Sequence, residues 1–433
     1  MMGRRLLRLM VGCVFFLGSA PARAQTATPP VRIGDSGWTI GFGAEGRVRF
    51  EILDEPGFGL GPRDADGYVL QRYLLVSDVR FRERVHVVTE LQSGWSSGRA
   101  GGPRPTDVDR LDVHQAFIDV AVASKPTADL TLRVGRQELA FGTGRLISAA
   151  EGLNVKRAFD GLRATYRIGA LTWNATVLRP VTVAPGIFDD GPSPTQTFWG
   201  AGVIAPHPIW RGANISMYYL GLQDTAATSL RGTDRSVRHT IGSRSWRSTD
   251  RWDANYEALW QFGTFGQSRI SAWAASSDTG LKATSNIRLG VKADIASGDR
   301  GRADTLGSFD PLFASAIAYS GSSGLLGPSN LVDVAPGIRV TRGALTVAAD
   351  TAAYWRTATT DTIYTIFLTS LRHGELGRQC YVGAAPTVSV ACRVRPGMTY
   401  TVLYSRFVPG AFLDQNPPVR SVNYLATSVT YRF

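Results

Sequence analysis

Apolar and polar residues alternate one by one through most of this chain. From Trp38, one face collects Trp38, Ile40, Phe42, Ala44, Val48, Phe50 and Ile52, and the other Thr39, Gly41, Gly43, Glu45, Arg47, Arg49 and Glu51. Further on, Trp252, Ala254, Tyr256, Ala258, Trp260 and Phe262 oppose Asp253, Asn255, Glu257 and Gln261, while Ile287, Leu289, Val291, Ala293 and Ile295 oppose Arg288, Gly290, Lys292 and Asp294. A period of two is the signature of extended strand, because successive side chains point to opposite sides. About eighteen such segments follow one another, beginning near 37, 69, 83, 110, 129, 158, 170, 196, 212, 235, 251, 267, 285, 331, 344, 384, 397 and 419.

The connections divide into two kinds. Those after even-numbered segments are short and turn-like, as in "SKPTA", "RIGA", "TRGAL" and "RPGM". Those after odd-numbered segments are often long, at roughly 53–68, 97–109, 142–157, 181–195, 298–330 and 358–383. Charges placed deep along the strands, Trp and Tyr near strand ends and this asymmetry of connections together predict an all-β fold: a transmembrane antiparallel barrel of about eighteen strands, with short periplasmic turns and long extracellular loops. A soluble sandwich or propeller also alternates, but its charged face would meet solvent rather than a water-filled lumen. The final "NYLATSVTYRF" puts Leu425, Val429, Tyr431 and Phe433 on one face, which looks like a C-terminal barrel-assembly signal carried by Tyr431 and Phe433.

The first residues suggest export. "MMGRRLLRLMVGCVFFLGSAPARAQ" has a basic start, an apolar run and small residues at Ala22 and Ala24, the pattern of a secretory signal cut after Ala24. The expected organisation is a cleaved signal over 1–24, a short periplasmic segment over 25–36 and a barrel over 37–433. No later apolar run reaches the ~18 residues of a membrane-spanning helix. Loss of Arg4, Arg5, Arg8 and Arg23 would take the formal charge from +12 to +8. Of the 47 basic residues only Lys125, Lys156, Lys282 and Lys292 are lysine. A planar guanidinium fits a carboxylate in a fork, so this balance points to an acidic extracytoplasmic ligand rather than nucleic acid.

Two cysteines would remain, Cys380 and Cys392, and export favours a disulfide. The alternation of Val388, Val390 and Cys392 instead predicts a strand between them, holding the two apart by roughly 40 Å. A disulfide would require the segment to be a loop.

Several motifs carry no chemistry. "GFGAEG" lacks the following helix of a dinucleotide site. "GWSSG" is followed by "RAGGPRP" rather than by the helix of a nucleophile elbow. His86, His114, His207, His239 and His373 have no second ligand at metal spacing. No enzyme, cofactor or metal site is expected.

The polar faces supply the candidate path. They predict a lumen lined by Arg47, Arg49, Arg72, Arg80, Arg133, Arg163, Arg288, Lys292, Arg339, Asp350 and Arg356. Conduction asks for affinity spread over many weak sites, which a run of guanidiniums offers to successive carboxylates. The stretch "GRQELAFGTGRLISAAEGLNVKRAFDG" is a strand end, a loop and a return. Strict alternation from Leu132 puts Arg136 on the lipid face, so either it lies at the rim or a bulge at Gly135 swings it inward; the bulge is the expectation, with Arg136, Arg145 and Arg157 facing the path.

"LRVGRQELAFGTGRLISAAEGLNVKRAFDGLRATY", with "ADIASGDRGRADTLGSFDPLF", "GPSNLVDVAPGIRVT", "AADTAAYWRTATTDTIY" and "YSRFVPGAFL…YRF", resembles the alginate export family of outer-membrane proteins. The resemblance covers most of the chain and keeps motif order. It implies a monomeric eighteen-stranded barrel in the Gram-negative outer membrane, through which a uronic-acid polysaccharide leaves the cell passively, gated by loops. It also implies outer-membrane lipid, the barrel assembly machinery and periplasmic secretion proteins as partners. A general or small-anion porin is the alternative, and an outer-membrane enzyme or adhesin the third reading.

Overall fold

The computed structural model describes residues 30–125, 127–315, 324–374 and 377–433. The expected signal and its cleavage point lie outside these residues. Eighteen long strands make one closed antiparallel sheet. The first six are β1 (Trp38–Asp54), β2 (Asp64–Phe81), β3 (Val85–Ser97), β4 (Asp109–Lys125), β5 (Ala128–Gln137) and β6 (Phe159–Ile168). Then come β7 (Leu171–Thr182), β8 (Gln196–Pro206), β9 (Asn214–Ser229), β10 (Gly232–Ser248), β11 (Trp252–Phe265) and β12 (Ser268–Lys282). The last six are β13 (Ile287–Ala296), β14 (Leu331–Arg342), β15 (Leu345–Arg356), β16 (Tyr381–Arg395), β17 (Met398–Pro409) and β18 (Val422–Arg432). Each pairs with its neighbours in sequence, and β1 closes the ring against β18 from Glu45↔Arg432 to Asp54↔Asn423. Closure leaves no strand edge unpaired, the condition for backbone to cross a hydrocarbon layer.

Two-residue turns at 169–170, 343–344 and 396–397 carry Gly169, Gly343 and Gly397 at positive φ, the conformation a tight hairpin demands. At the other end stand the long connections, except after β9 and β11, which close in two residues at 230–231 and 266–267. The outer face is apolar: Phe42, Val48, Leu75, Trp173, Val177, Leu289 and Val388 are exposed there, and Trp260 lies opposite Trp273 on adjacent strands. Phe433 is joined to Ala44 by two backbone hydrogen bonds of 2.8 and 3.0 Å, so the chain end is part of the closing seam.

Cys380 lies just before β16 and Cys392 within it, both as free thiols; the strand holds them apart. Gly41 and Gly43 lie on the buried face of β1, and the alternation runs through them as the sequence suggests.

The expected bulge at Gly135 is absent. Pairing runs without a shift through Ala116↔Arg136, Phe117↔Gly135 and Ile118↔Val134. Gly135 faces Gly161 instead, with φ of +123° and +146°. A Cβ on either would stand 2.2 or 2.3 Å from a neighbouring carbonyl oxygen. Arg136 therefore keeps the register of the outward row, opposite Asp160, whose carboxylate it holds at 2.9 and 3.1 Å. An ion pair across the strands, rather than a bulge, is what makes the charge tolerable there.

The inner face is not uniformly polar. Leu178, Phe198, Leu220, Leu259 and Ala272 point inward and pack with Leu146, Ile147, Phe309 and Phe313 from the long connections. A second cluster joins Leu53, Tyr354, Phe407 and Tyr424 of the wall to Phe58, Ile363, Phe412 and Leu413. The long-loop half of the barrel is thus filled by its own connections.

Candidate functional site

The connection from β5 to β6, residues 138–158, folds into the lumen and is held at both walls. On one side Arg47 and Arg72, directly opposite each other on β1 and β2, reach its backbone. Arg47 donates to the carbonyls of Glu151 at 3.0 Å and Leu153 at 2.6 Å, and Arg72 donates to the same two at 3.2 Å. Arg49 adds the carbonyl of Gly152 at 2.8 Å. Two like charges facing each other across strands repel. Glu45 offsets this by pairing with Arg72 at 2.5 Å, and the loop carbonyls take the remaining donors. Asn154 completes the seam, donating to the carbonyls of Gln71, Trp95 and Asp107. The lack of a side chain at Gly94 makes room, since a Cβ there would be 3.1 Å from Val155.

The opposite wall is acidic. One cross-strand row runs Arg244, Glu257, Ser276, Asp294, Asp333 and Tyr354 over β10 to β15. Arg145 of the loop pairs with Asp294 at 2.9 Å, and Thr143 reaches Glu257 at 3.4 Å. Backbone bonds tie the loop to a second inward segment, with Ser148 N on Phe313 O at 2.9 Å and Ser315 N on Gly144 O at 2.9 Å. Arg157 donates to the carbonyls of Ser148 and Phe313 against the Phe313 ring, and burial pulls its pKa down to about 10.

At the foot of the loop, Lys156 forms ion pairs with Glu138 and with Glu151, the latter at 2.7 Å. His114 meets Glu138 at 3.0 Å and Glu90 at 3.8 Å. Glu90, His114 and Glu138 lie close enough to share a metal ion, but the ammonium of Lys156 is the cation lodged among them. Spacing in sequence gave no hint of this group, which three segments bring together.

Nearer the short turns lies a second row, Arg80, His86, Asp119, Arg133 and Arg163, each directly opposite the next on β2 to β6. Arg80 pairs with Asp78 at 2.8 Å, and His86 bridges Asp78 and Asp119 at 3.0 and 3.2 Å. Arg133 grips Asp119 with two bonds of 2.6 and 2.7 Å and covers the Phe117 ring at 3.6 Å. Arg163 donates to Asn174 at 3.3 Å, with no carboxylate among the described residues within ion-pair distance. Across the barrel Arg288 stands opposite Arg339 and pairs with Asp253 and Asp278 at 2.5 and 2.9 Å. Its guanidinium lies over Gly280 and Gly290, where any Cβ would intrude to 2.3–2.4 Å. Lys292 faces Asp278 on the adjacent strand, and Asp350 faces Gly337.

The predicted residues therefore separate. Arg80, Arg133, Arg163, Arg288, Lys292 and Arg339 are lumen-wall groups. Arg47, Arg49, Arg72, Arg145 and Arg157 hold the inward loop. Arg356 is buried beneath the β15–β16 connection, donating to the carbonyls of Thr359, Asp361, Gly374, Gly377 and Gln379 and stacking on Phe412 at 3.7 Å. It is a loop clamp. The signal that would have found these docking places is apolar residues interrupting a polar row, as Leu70, Leu74 and Val76 do around Arg72.

Among solved structures, OpdO of Pseudomonas aeruginosa is similar at 13% identity and TM-score 0.61, over 91% of this chain and 97% of that one. A BenF-like porin of Pseudomonas fluorescens Pf-5 is similar at 12% identity and TM-score 0.62, over 91% and 98%. OccK2 (OpdF) of Pseudomonas aeruginosa, solved with glucuronate, is similar at 11% identity and TM-score 0.59, over 90% and 98%. No curated protein matches. At these identities the likeness is one of fold, that of outer-membrane porins. The model of the alginate export family matches residues 39–427, nearly the whole chain. The chain belongs to the alginate export family of outer-membrane β-barrel proteins.

Proposed function

We propose that this barrel passes an anionic, uronic-acid polysaccharide out of the cell, its long-loop end outward. The observation that carries the reading is the direct opposition of Arg133 and Arg163 on the lumen wall, with one carboxylate, Asp119, between the pair and its neighbours. Like charges facing each other across strands are destabilising. A passing carboxylate relieves that cost, and so does the next one along the chain. Arg288 and Arg339 repeat the arrangement across the barrel. Family membership supports the polymer, and the glucuronate bound to the OccK2 barrel, which shares the fold, is a monomer of the same chemical class. Transport is passive, with no chemistry at the wall. Assembly through Tyr431 and Phe433 by the barrel machinery, and delivery of polymer by periplasmic proteins, belong to the same reading.

A small-anion porin is the second reading, and the doubly held inward loop favours it, because such a loop narrows the path. Planar-bilayer conductance separates the two. Polyuronate added on the short-turn side blocks the current at low concentration under the first reading, while neutral oligosaccharide does not. Block by monomeric anions alone would support the porin.

A further inference from the structure

We propose that a pocket on the outer surface of the barrel, between β12 and the start of the β13–β14 connection, binds the phosphorylated sugar head group of an outer-leaflet glycolipid. On β12 Arg269, Ser271 and Trp273 are exposed and face away from the lumen, while Ile270, Ala272 and Ala274 between them are buried. Beyond β13 the chain stays with the sheet. Ser297 N donates to the Trp273 carbonyl at 2.9 Å, and Trp273 N donates to Ser297 Oγ at 2.9 Å. The chain then returns, and Thr305 and Leu306 pair with Arg269 and Ile270. Glycine lets the two limbs approach, since a Cβ on Gly307 would stand 2.8 Å from the carbonyl oxygen of Gly298. The cavity beside them measures about 240 Å³, and Ser271, Trp273, Asp299, Arg300 and Arg302 line it.

One guanidinium fixes the limb that carries the charges. Arg231, in the β9–β10 turn, donates to the Asp299 carboxylate at 2.8 Å and to the carbonyls of Arg302 at 2.6 Å, Ala303 at 2.9 Å and Thr305 at 2.7 Å. The acid in the lining is thereby answered from behind. The guanidiniums of Arg300 and Arg302 make no hydrogen bond or ion pair among the described residues, and both residues are exposed. A held backbone thus presents two unanswered positive charges beside an exposed indole. A phosphate ester carries about −1.5 to −2 charges at pH 7 and three acceptor oxygens, the complement of two guanidinium forks. The apolar CH face of the sugar that bears it packs on the indole ring. Place decides the source. Long connections stand at the outer end of outer-membrane barrels, and Trp273, opposite Trp260, belongs to the aromatic band at the interface, so the pocket opens at head-group level towards lipid. It is smaller than the roughly 300–1,000 Å³ of pockets for larger ligands, so it suits one head group rather than several residues of a polymer.

The test is native mass spectrometry of the detergent-purified full barrel with bis-phosphorylated lipid A and with lipid A stripped of its phosphates. The double variant Arg300→Ala/Arg302→Ala is measured beside the wild type, and retention of the compact band on unheated gels confirms that both are folded. The wild type is expected to hold one bis-phosphorylated lipid A about tenfold more tightly than the stripped form, and the double variant to lose that preference. Arg420→Ala, at an exposed arginine of the β17–β18 connection, should keep it. Equal binding of the two lipids by the wild type, or a preference undiminished in the folded double variant, overturns the site. Loss of the preference in Arg420→Ala would reduce the effect to net charge and overturn it too. Displacement of bound lipid A by an oligouronate would give the pocket to the polymer instead, and so overturn the choice of ligand.

Discussion

Arg145, carried by the connection between β5 and β6, meets Asp294 on the far wall at 2.9 Å, directly beside Asp333 on the neighbouring strand. Two carboxylates facing each other across strands would destabilise the sheet on their own. The loop brings the cation that makes the pair tolerable, so wall and loop each depend on the other. The same exchange occurs in reverse at the opposite wall, where Arg47 and Arg72 depend on the loop's carbonyls.

Arg145→Ala is therefore expected to release one end of the loop. Removing one partner of a buried pair costs about 3–5 kcal/mol, because the other charge stays behind. The variant should pass a larger and noisier single-channel current and be cut by protease within 142–152. The swap Arg145→Asp with Asp294→Arg should restore the quiet state; if the single variant already behaves as wild type, the latch is not there.

Arg163 donates to Asn174 at 3.3 Å and, among the described residues, forms no ion pair with a carboxylate. Arg163→Ala is expected to weaken block by polyuronate about tenfold, the ~1.4 kcal/mol of one charge-assisted hydrogen bond. Arg163→Glu should weaken it further and lower anion preference, measured as a reversal potential in a salt gradient. Arg356→Ala should leave block affinity unchanged, since that group is enclosed by its loop.

The barrel was legible because period-two alternation needs no knowledge of distant contacts: a strand with one face to lipid writes its own pattern. Family membership was legible for the same reason, from motifs that keep their order. The loop was not. Arg145 and Arg157 read as polymer contacts because a charge in a loop carries no mark of whether it meets substrate or its own barrel. Leu259 among Asp253, Glu257 and Gln261 did carry such a mark, an apolar residue on an inward row, and it lies where Phe309 and Leu146 pack. Arg136 misled differently. Alternation placed it outward correctly, but its partner Asp160 is on another strand, and pairing partners are a property of register.

The foot of the loop fixes a pH dependence. Burial alone would raise the Glu138 pKa, but Lys156 and His114 hold it down to about 2, below its ordinary 4.5. Stability from a lowered carboxylate is complete above its unfolded value and is lost as pH falls through the folded one. Lys156, pulled down by burial yet held above the lysine range by Glu138, Glu151 and Glu90, contributes fully below its ordinary 10.5. The loop should stay latched between about pH 5 and 10 and loosen progressively from pH 4.5 towards 2. Protease cutting of 138–158 against pH, before and after Glu138→Gln, measures this; a variant that keeps the acid transition assigns it elsewhere.

Gly135 and Gly161 stand directly opposite each other on β5 and β6. At Gly135 φ is +123°, and a Cβ would be 2.2 Å from the carbonyl oxygen of Ala116, a backbone atom that cannot step aside without breaking the β4–β5 ladder. Gly169, in a short turn, also has positive φ, at +55°, but nothing lies within 4 Å of its would-be Cβ. Gly169→Ala should thus cost about 1 kcal/mol, the conformational term alone. Gly135→Ala adds a steric clash to that term and should cost about 2 kcal/mol or more. Urea unfolding followed by tryptophan fluorescence gives the comparison. Equal losses for the two variants would mean that the strand bends to make room.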